Sequence, residues 1–263
     1  MERMILTGII LLLLAMPQAA AQEQFTVIAV DGKIEKTETG NLLQTGDRLG
    51  FRAPLRFYSP KARAAVISPK EGRMLLKPQH PDKLMAAAAN FVPPISNMRT
   101  RSTPMLRSSH EMKMFFMGSI FLLDKMRVPV APNAFPLDET HYFFLRYTSG
   151  SDTVRTKMAT DRNQLILSRQ EIFQAKGQSL PIPQEQDMVL FYSNGGQTEK
   201  MGAFKLVMPA EDKLQKEVAV LLRALADKPT GHKIEEIIAF IEDFYGKADP
   251  VAIDRWASKV FSL

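Results

Sequence analysis

Apolar and polar positions alternate with period two through the first third of the chain, and a helical period takes over only near its end. Phe25, Val27 and Ala29 alternate, Asp31-Gly32 supplies a dipeptide suited to a two-residue turn, and Ile34 resumes the apolar face, so a hairpin is predicted there. Leu42, Leu43, Gly46, Asp47 and Leu49 form a turn into Phe51, Ala53, Leu55 and Phe57, with Arg52 and Arg56 on the wet face. Pro54 assigns that strand to an edge or bulge. Ala65 to Ile67 and Met74 to Leu76 flank Ser68-Pro69-Lys70-Glu71-Gly72, a further hairpin. The pattern predicts a small β-barrel or sandwich over residues 22–78.

The alternation lapses over 79–111, where Ala86 to Ala89 and Pro93-Pro94 precede Arg99, Arg101 and Arg107, and the stretch reads as a basic linker. Residues 112–121 are densely apolar. Two readings stay open for them: a core element, or an adaptable partner surface carried by Met112, Met114, Phe115, Phe116 and Met117. From 112 to 208 short strands recur, at Val128 and Val130, His141 to Tyr147, Val154 to Met158, Leu165 to Leu167, Met188 to Tyr192 and Phe204 to Val207. Turn signals at Ser149-Gly150, Gly177 and Asn194-Gly195-Gly196 separate them. That spacing predicts a sandwich of immunoglobulin-like type, without the Cys and Trp that pin an antibody core. Over 209–263, Leu214, Val218, Leu221 and Leu225, then Ile234, Ile237, Ile241 and Phe244, then Ile253, Trp256, Ala257 and Val260 form three helical stripes. Asp249-Pro250 is an N-cap followed by a first-turn proline. The expected fold is multidomain α+β, with its helices packed on the sandwich or gathered in a bundle.

The order Gly32-x-Ile34, Leu43, Gly46-Asp47-x-Leu49, Ala65, Ile67, Gly72 and Leu76 resembles the periplasmic β-domain of the FecR family of bacterial envelope regulators, over roughly a fifth of the chain. The resemblance implies a protein-contacting envelope module. Family members carry a cytosolic segment that grips a sigma factor, then a membrane helix. Only four residues precede the apolar run of 5–16 here, so that mechanism is not implied.

Arg3, the apolar run and Ala19-Ala20-Ala21 have the form of a secretory signal peptide over 1–21, because a spanning helix needs about 20 apolar residues. The expected product is periplasmic or secreted, with no transmembrane span after cleavage. There is no cysteine, which removes disulfides, thiol catalysis and lipoprotein attachment together. The formal net charge is +6, unevenly spread: residues 25–127 hold 17 Lys and Arg against 8 Asp and Glu. A basic first half favours anionic partners or simple solubility.

Catalytic equipment is scarce in this pattern. No Gly-x-Ser-x-Gly elbow or Walker loop occurs, and the histidines are His80, His110, His141 and His232. Asp138-Glu139-Thr140-His141 is the nearest approach to a metal cluster, and a loop-to-strand junction explains it equally well. Glu139, Glu171 and Glu185 are available for paired-carboxylate chemistry. The expectation is a non-enzymatic bacterial envelope protein without a cofactor or a nucleic-acid partner, acting as scaffold or adaptor on an envelope protein. The alternative is an anionic cell-wall or surface glycan held by Arg99, Arg101 and Arg107, and the third is a hydrolase with an unrecognised site.

Overall fold

The computed structural model describes residues 24–51, 53–78, 87–88, 90–93, 103–175 and 177–263. The expected leader, Arg52, and Arg99 and Arg101 of the expected linker lie outside the described residues. The described residues begin with β1 (Gln24–Asp31), β2 (Ile34–Lys36), β3 (Arg48–Gly50), β4 (Pro54–Phe57), β5 (Arg63–Ser68), β6 (Gly72–Lys77), β7 (Ala87–Ala88) and β8 (Asn90–Val92). Two antiparallel sheets result, ordered β3-β1-β5-β6-β8 and β2-β4-β7. Phe25, Val27, Val66 and Leu76 of the larger sheet meet Ile34, Leu55 and Phe57 of the smaller in one core. No sheet of the described residues closes into a barrel.

Three details depart from the period-two pattern. The Asp31-Gly32 turn does not make a hairpin, because β1 pairs with β3 and β5 while β2 pairs with β4 in the other sheet. Gly32, at φ +80°, turns a corner between the sheets, and a Cβ there would stand 3.0 Å from the Cβ of Ala62. Pro54 lies not on an edge strand but at the first position of a central one, where a missing N–H costs little. Finally, two strands from the expected linker, β7 and β8, join these sheets, and Phe91 stacks on Phe51 and meets Phe25 at a tilt. The Ser68-to-Gly72 hairpin forms as the sequence predicts.

The second β-unit starts with α1 (Ser109–Phe115), so the 112–121 segment is part helix and part strand. Then come β9 (Met117–Phe121), β10 (Lys125–Pro129), β11 (His141–Ser149), β12 (Asp152–Lys157), β13 (Ala159–Asp161), β14 (Gln164–Ser168), α2 (Arg169–Ile172), β15 (Gln174–Ala175), β16 (Gln178–Ser179), β17 (Glu185–Asn194) and β18 (Gln197–Val207). A sheet ordered β12-β11-β17-β18-β9 and a smaller one ordered β10-β14-β13 share a core. Phe143, Leu145, Leu190 and Leu206 come from the first, and Met126, Val128, Leu165 and Leu167 from the second. Hairpins form at the predicted Ser149-Gly150 and Asn194-Gly195-Gly196 turns. β9 pairs parallel to β18, the exception in an otherwise antiparallel sheet.

Three helices end the chain: α3 (Glu211–Ala224), α4 (Thr230–Phe244) and α5 (Pro250–Phe261). The carboxylate of Asp249 accepts from the amides of Val251 and Ala252, as the N-cap expectation requires. Their main bed is neither the second unit nor a free bundle but the outer face of β1 and β5. Leu214, Val218, Leu221, Ile237 and Ile241 cluster there with Ile28, Ala29, Ala65 and Ile67. A bulge between Val27 and Ala29 lets both Ile28 and Ala29 join the helix-side core. Phe121 and Val207 of the second unit enter the same cluster, so the helices connect the two β-units. Arg73 strengthens the joint, its guanidinium 2.7 Å from Asp243 and 3.5 Å from Glu236. No helix of the described residues is long and apolar enough to cross a membrane. The whole is α+β, with antiparallel sheets and C-terminal helices.

Candidate functional site

The residues singled out for partner contact divide between core and surface once α1 forms. Ser108 caps the helix by accepting from the amide of Glu111 at 3.2 Å, and the Glu111 carboxylate accepts from the amide of Arg107 at 2.6 Å. This is close to a capping box, displaced by one residue at the return bond. Helical spacing then turns Met112 and Phe116 inward, where both are fully buried beside Phe204. These two are therefore core, which corrects the expectation that they belong to a partner surface. Met114 and Met117 point out, 50% and 55% exposed, and Phe115 is half-buried between.

The approach of α1 to the sheet depends on Gly202. A Cβ at that position would lie 2.6 Å from the carbonyl oxygen of Phe116, so β18 needs glycine there for the helix end to sit down. The far end of α1 is held by Lys247, whose Nζ donates to the carbonyls of Met114 at 2.9 Å, Phe115 at 2.7 Å and Met117 at 3.0 Å. A cation on the last carbonyls of a helix satisfies orphan acceptors and opposes the negative end of its dipole. Burial pushes the Lys247 ammonium below its ordinary pKa. Gly246, at φ +121°, brings this lysine close, and the Lys247 amide bonds to the Ser119 carbonyl at 3.0 Å.

Ahead of α1 the chain runs extended past β10. Leu106 bridges Val130 and is buried, which turns its neighbours Met105 and Arg107 outward. Met105 is 47% exposed. Between this segment and α1 lies a groove of about 490 Å³, bounded by Pro104, Met105, Met114 and Phe115, with Arg107 and Glu111 also lining it. Thioethers and one ring make its apolar surface; one cation and one carboxylate make its polar edge. The structure thus joins Arg107, expected for an anionic partner, to Met114 and Phe115, expected for a protein partner.

The Asp138-to-His141 candidate resolves into local structure. The Asp138 carboxylate accepts from the Thr140 amide and hydroxyl and the His141 amide, and lies 2.8 Å from Nδ1 of His141. The Thr140 and His141 hydrogen bonds hold its pKa far below the usual carboxylate range. This is a turn that feeds β11, and no group of three metal-capable side chains exists among the described residues. Glu185 is engaged by Lys205 at 2.9 Å. His110 and His232 are exposed, and His80 lies outside the described residues.

No protein-family model matches the chain. A search of curated proteins also finds no match. Its chemistry therefore rests on geometry alone. Sequence reasoning missed Lys247 because the lysine lies 130 residues or more from the carbonyls it caps. The only local hint is Gly246, a glycine of the kind that ends helices; that the same turn delivers a cation to another helix is a tertiary fact.

Proposed function

We propose that this is a non-catalytic envelope protein that works by protein contact and receives an apolar segment of its partner in the groove between Pro104 and Phe115. The observation that supports this is the exposure of Met105 and Met114 beside Phe115 on a helix fixed at both ends. Thioether side chains adapt to varied apolar partners, and a fixed backbone lowers the ordering cost of binding. Arg107 and Glu111 at the edge would set the orientation of the bound segment through its charges.

Several finer readings belong to the same proposal. The product is periplasmic or exported after cleavage behind Ala21; the first β-unit is an envelope module of the FecR kind; the second is a sandwich of immunoglobulin-like type. The test is cross-linking in native envelopes followed by mass spectrometry, comparing wild type with the Met105→Ser/Met114→Ser variant. A cross-linked species lost from the variant, with its melting unchanged, supports the proposal. Recovery of the same species from both proteins overturns it.

A further inference from the structure

The outer face of the large sheet in the second unit carries a cluster that the protein-contact proposal does not use. With Phe143, Leu145 and Leu190 facing the core, the alternate residues of β11, β12 and β17 face out. Cross-strand register aligns Lys157, Phe144, Phe191 and Lys200 in one row, and Arg155 opposite Arg146 in the next. Phe144 and Phe191 stack almost parallel, 5.1 Å apart at 10°. The Arg146 guanidinium lies 4.7 Å from the centre of the Phe191 ring, and the Lys157 ammonium 4.4 Å from that of Tyr142.

Two features make this more than a solvated face. First, like charges directly opposite on adjacent strands are destabilising, yet Arg146 faces Arg155. No ion pair neutralises Arg146, Arg155, Lys157 or Lys200 among the described residues; Asp187 and Glu185 are engaged with Lys205 and Glu199 with Lys113, while Asp152 and Glu171 stand in the neighbouring cleft without forming an ion pair to them. Second, the rings hold two of the four cations, Arg146 and Lys157, through cation–π contact, which restrains long side chains that would otherwise sweep through solvent. The fold thus retains an electrostatic cost and restrains one of the two arginines that cause it.

Beside this face, along β12, runs a cleft of about 810 Å³ that shares Arg155 and Lys157 with it. Thr153, Thr156, Gln174 and Gln178 line the cleft with hydroxyls and amides, and Asp152 and Glu171 add acceptors. We propose that the face and cleft together bind an acidic polysaccharide, a sugar chain bearing carboxylates. Guanidinium forks and ammonium groups pair with its carboxylates, and the cleft matches its hydroxyls. A nucleic acid fits less well, because single-strand binding uses free aromatic faces as stacking platforms, and Phe191 is already covered by Phe144 and Arg146. The site lies on different strands from the methionine groove, so each stands or falls alone.

Titration calorimetry of the full chain with polygalacturonate oligomers tests this, with dextran and single-stranded DNA of equal length as comparisons. Binding of polygalacturonate, none of dextran and weaker binding of DNA are expected. Binding should fall about tenfold in Arg146→Ala/Arg155→Ala/Lys157→Ala, and about as much when salt rises from roughly 0.05 to 0.5 M, since exposed charges are screened over ~10 Å at 0.1 M. If the triple variant melts early, the exposed single changes Arg155→Glu and Lys200→Glu decide on the same criterion. No binding of polygalacturonate, DNA binding tighter than it, or variants that bind as wild type does would each overturn the proposal.

Discussion

Glu217 should make this protein less stable as pH rises from about 4.5 to 7, against the usual behaviour of a folded carboxylate. The side chain lies on α3, wholly buried where α3, the end of α4 and the sheet meet. Tyr245 donates to its Oε2 at 2.5 Å, Lys213 stands 3.8 Å from Oε1, and Oε1 has no hydrogen bond. Burial pushes its pKa from the ordinary 4.5 up to about 7; the Tyr245 hydrogen bond and Lys213 oppose the rise, and Asp31 adds to it. The folded state therefore keeps its proton where the unfolded state has lost it. Between pH 4.5 and 7 the folded form binds more protons, so stability falls with rising pH and is level above 7. The shift corresponds to roughly 3 kcal/mol, about 6–12 °C in melting temperature for a chain of this size. Glu217→Gln keeps an acceptor for Tyr245 and cannot ionise. Melting followed by Trp256 fluorescence at pH 5, 6, 7 and 8 should show wild type losing ground to the variant across that window. Parallel curves for the two proteins would refute the argument.

Lys247→Met should free three carbonyls where α1 gives way to β9, costing about 1–3 kcal/mol and opening the chain near Met117 to limited proteolysis. Gly202→Ala should lower stability by about 1–3 kcal/mol, read by denaturant unfolding, because its Cβ meets the Phe116 carbonyl and β-carbon. Arg73→Ala leaves Asp243 and Glu236 facing a site that held a buried guanidinium. A loss of about 2–4 kcal/mol is expected, with hydrogen exchange rising in α4 before it rises in β11 or β17.

Local pattern made some of these elements legible and left others hidden. Ser68 to Gly72, Ser149-Gly150 and Asn194-Gly195-Gly196 were readable as hairpins because the turn residues and both flanking strands lie within a few positions. Asp31-Gly32 has the same signature, but the strands it joins enter different sheets, and a dipeptide does not encode which partner a strand chooses. The three helical stripes were visible; their bed was not. Ala64, Ala65, Val66 and Ile67 form a continuous buried run because β5 has a core on each face, a pattern that signals a covered sheet and leaves its cover unnamed. At the groove, the apolar density of 112–121 marked the right stretch, while the division of Met112 and Phe116 from Met114 and Met117 followed only once a helical turn and then a strand were known.

Charge shows the same limit more sharply. Counted along the chain, positive charge is concentrated in residues 25–127, and the half that follows is slightly acidic, with 16 Lys and Arg against 18 Asp and Glu over 128–263. Yet Arg146, Arg155, Lys157 and Lys200 all belong to the acidic half. In the basic half, by contrast, Lys36, Arg56, Arg63 and Arg73 are paired with Asp47, Glu35, Asp31 and Asp243. A linear tally adds charges that the fold neutralises to charges that it leaves exposed. What a polyanion meets is the unneutralised remainder and its spacing, which the antiparallel register of β11, β12, β17 and β18 sets. The bulge between Leu190 and Phe191 is part of that register, because it brings Lys200 opposite Phe191. A shift of one residue in β18 would turn that lysine to the other face, so the cluster is a property of strand pairing rather than composition.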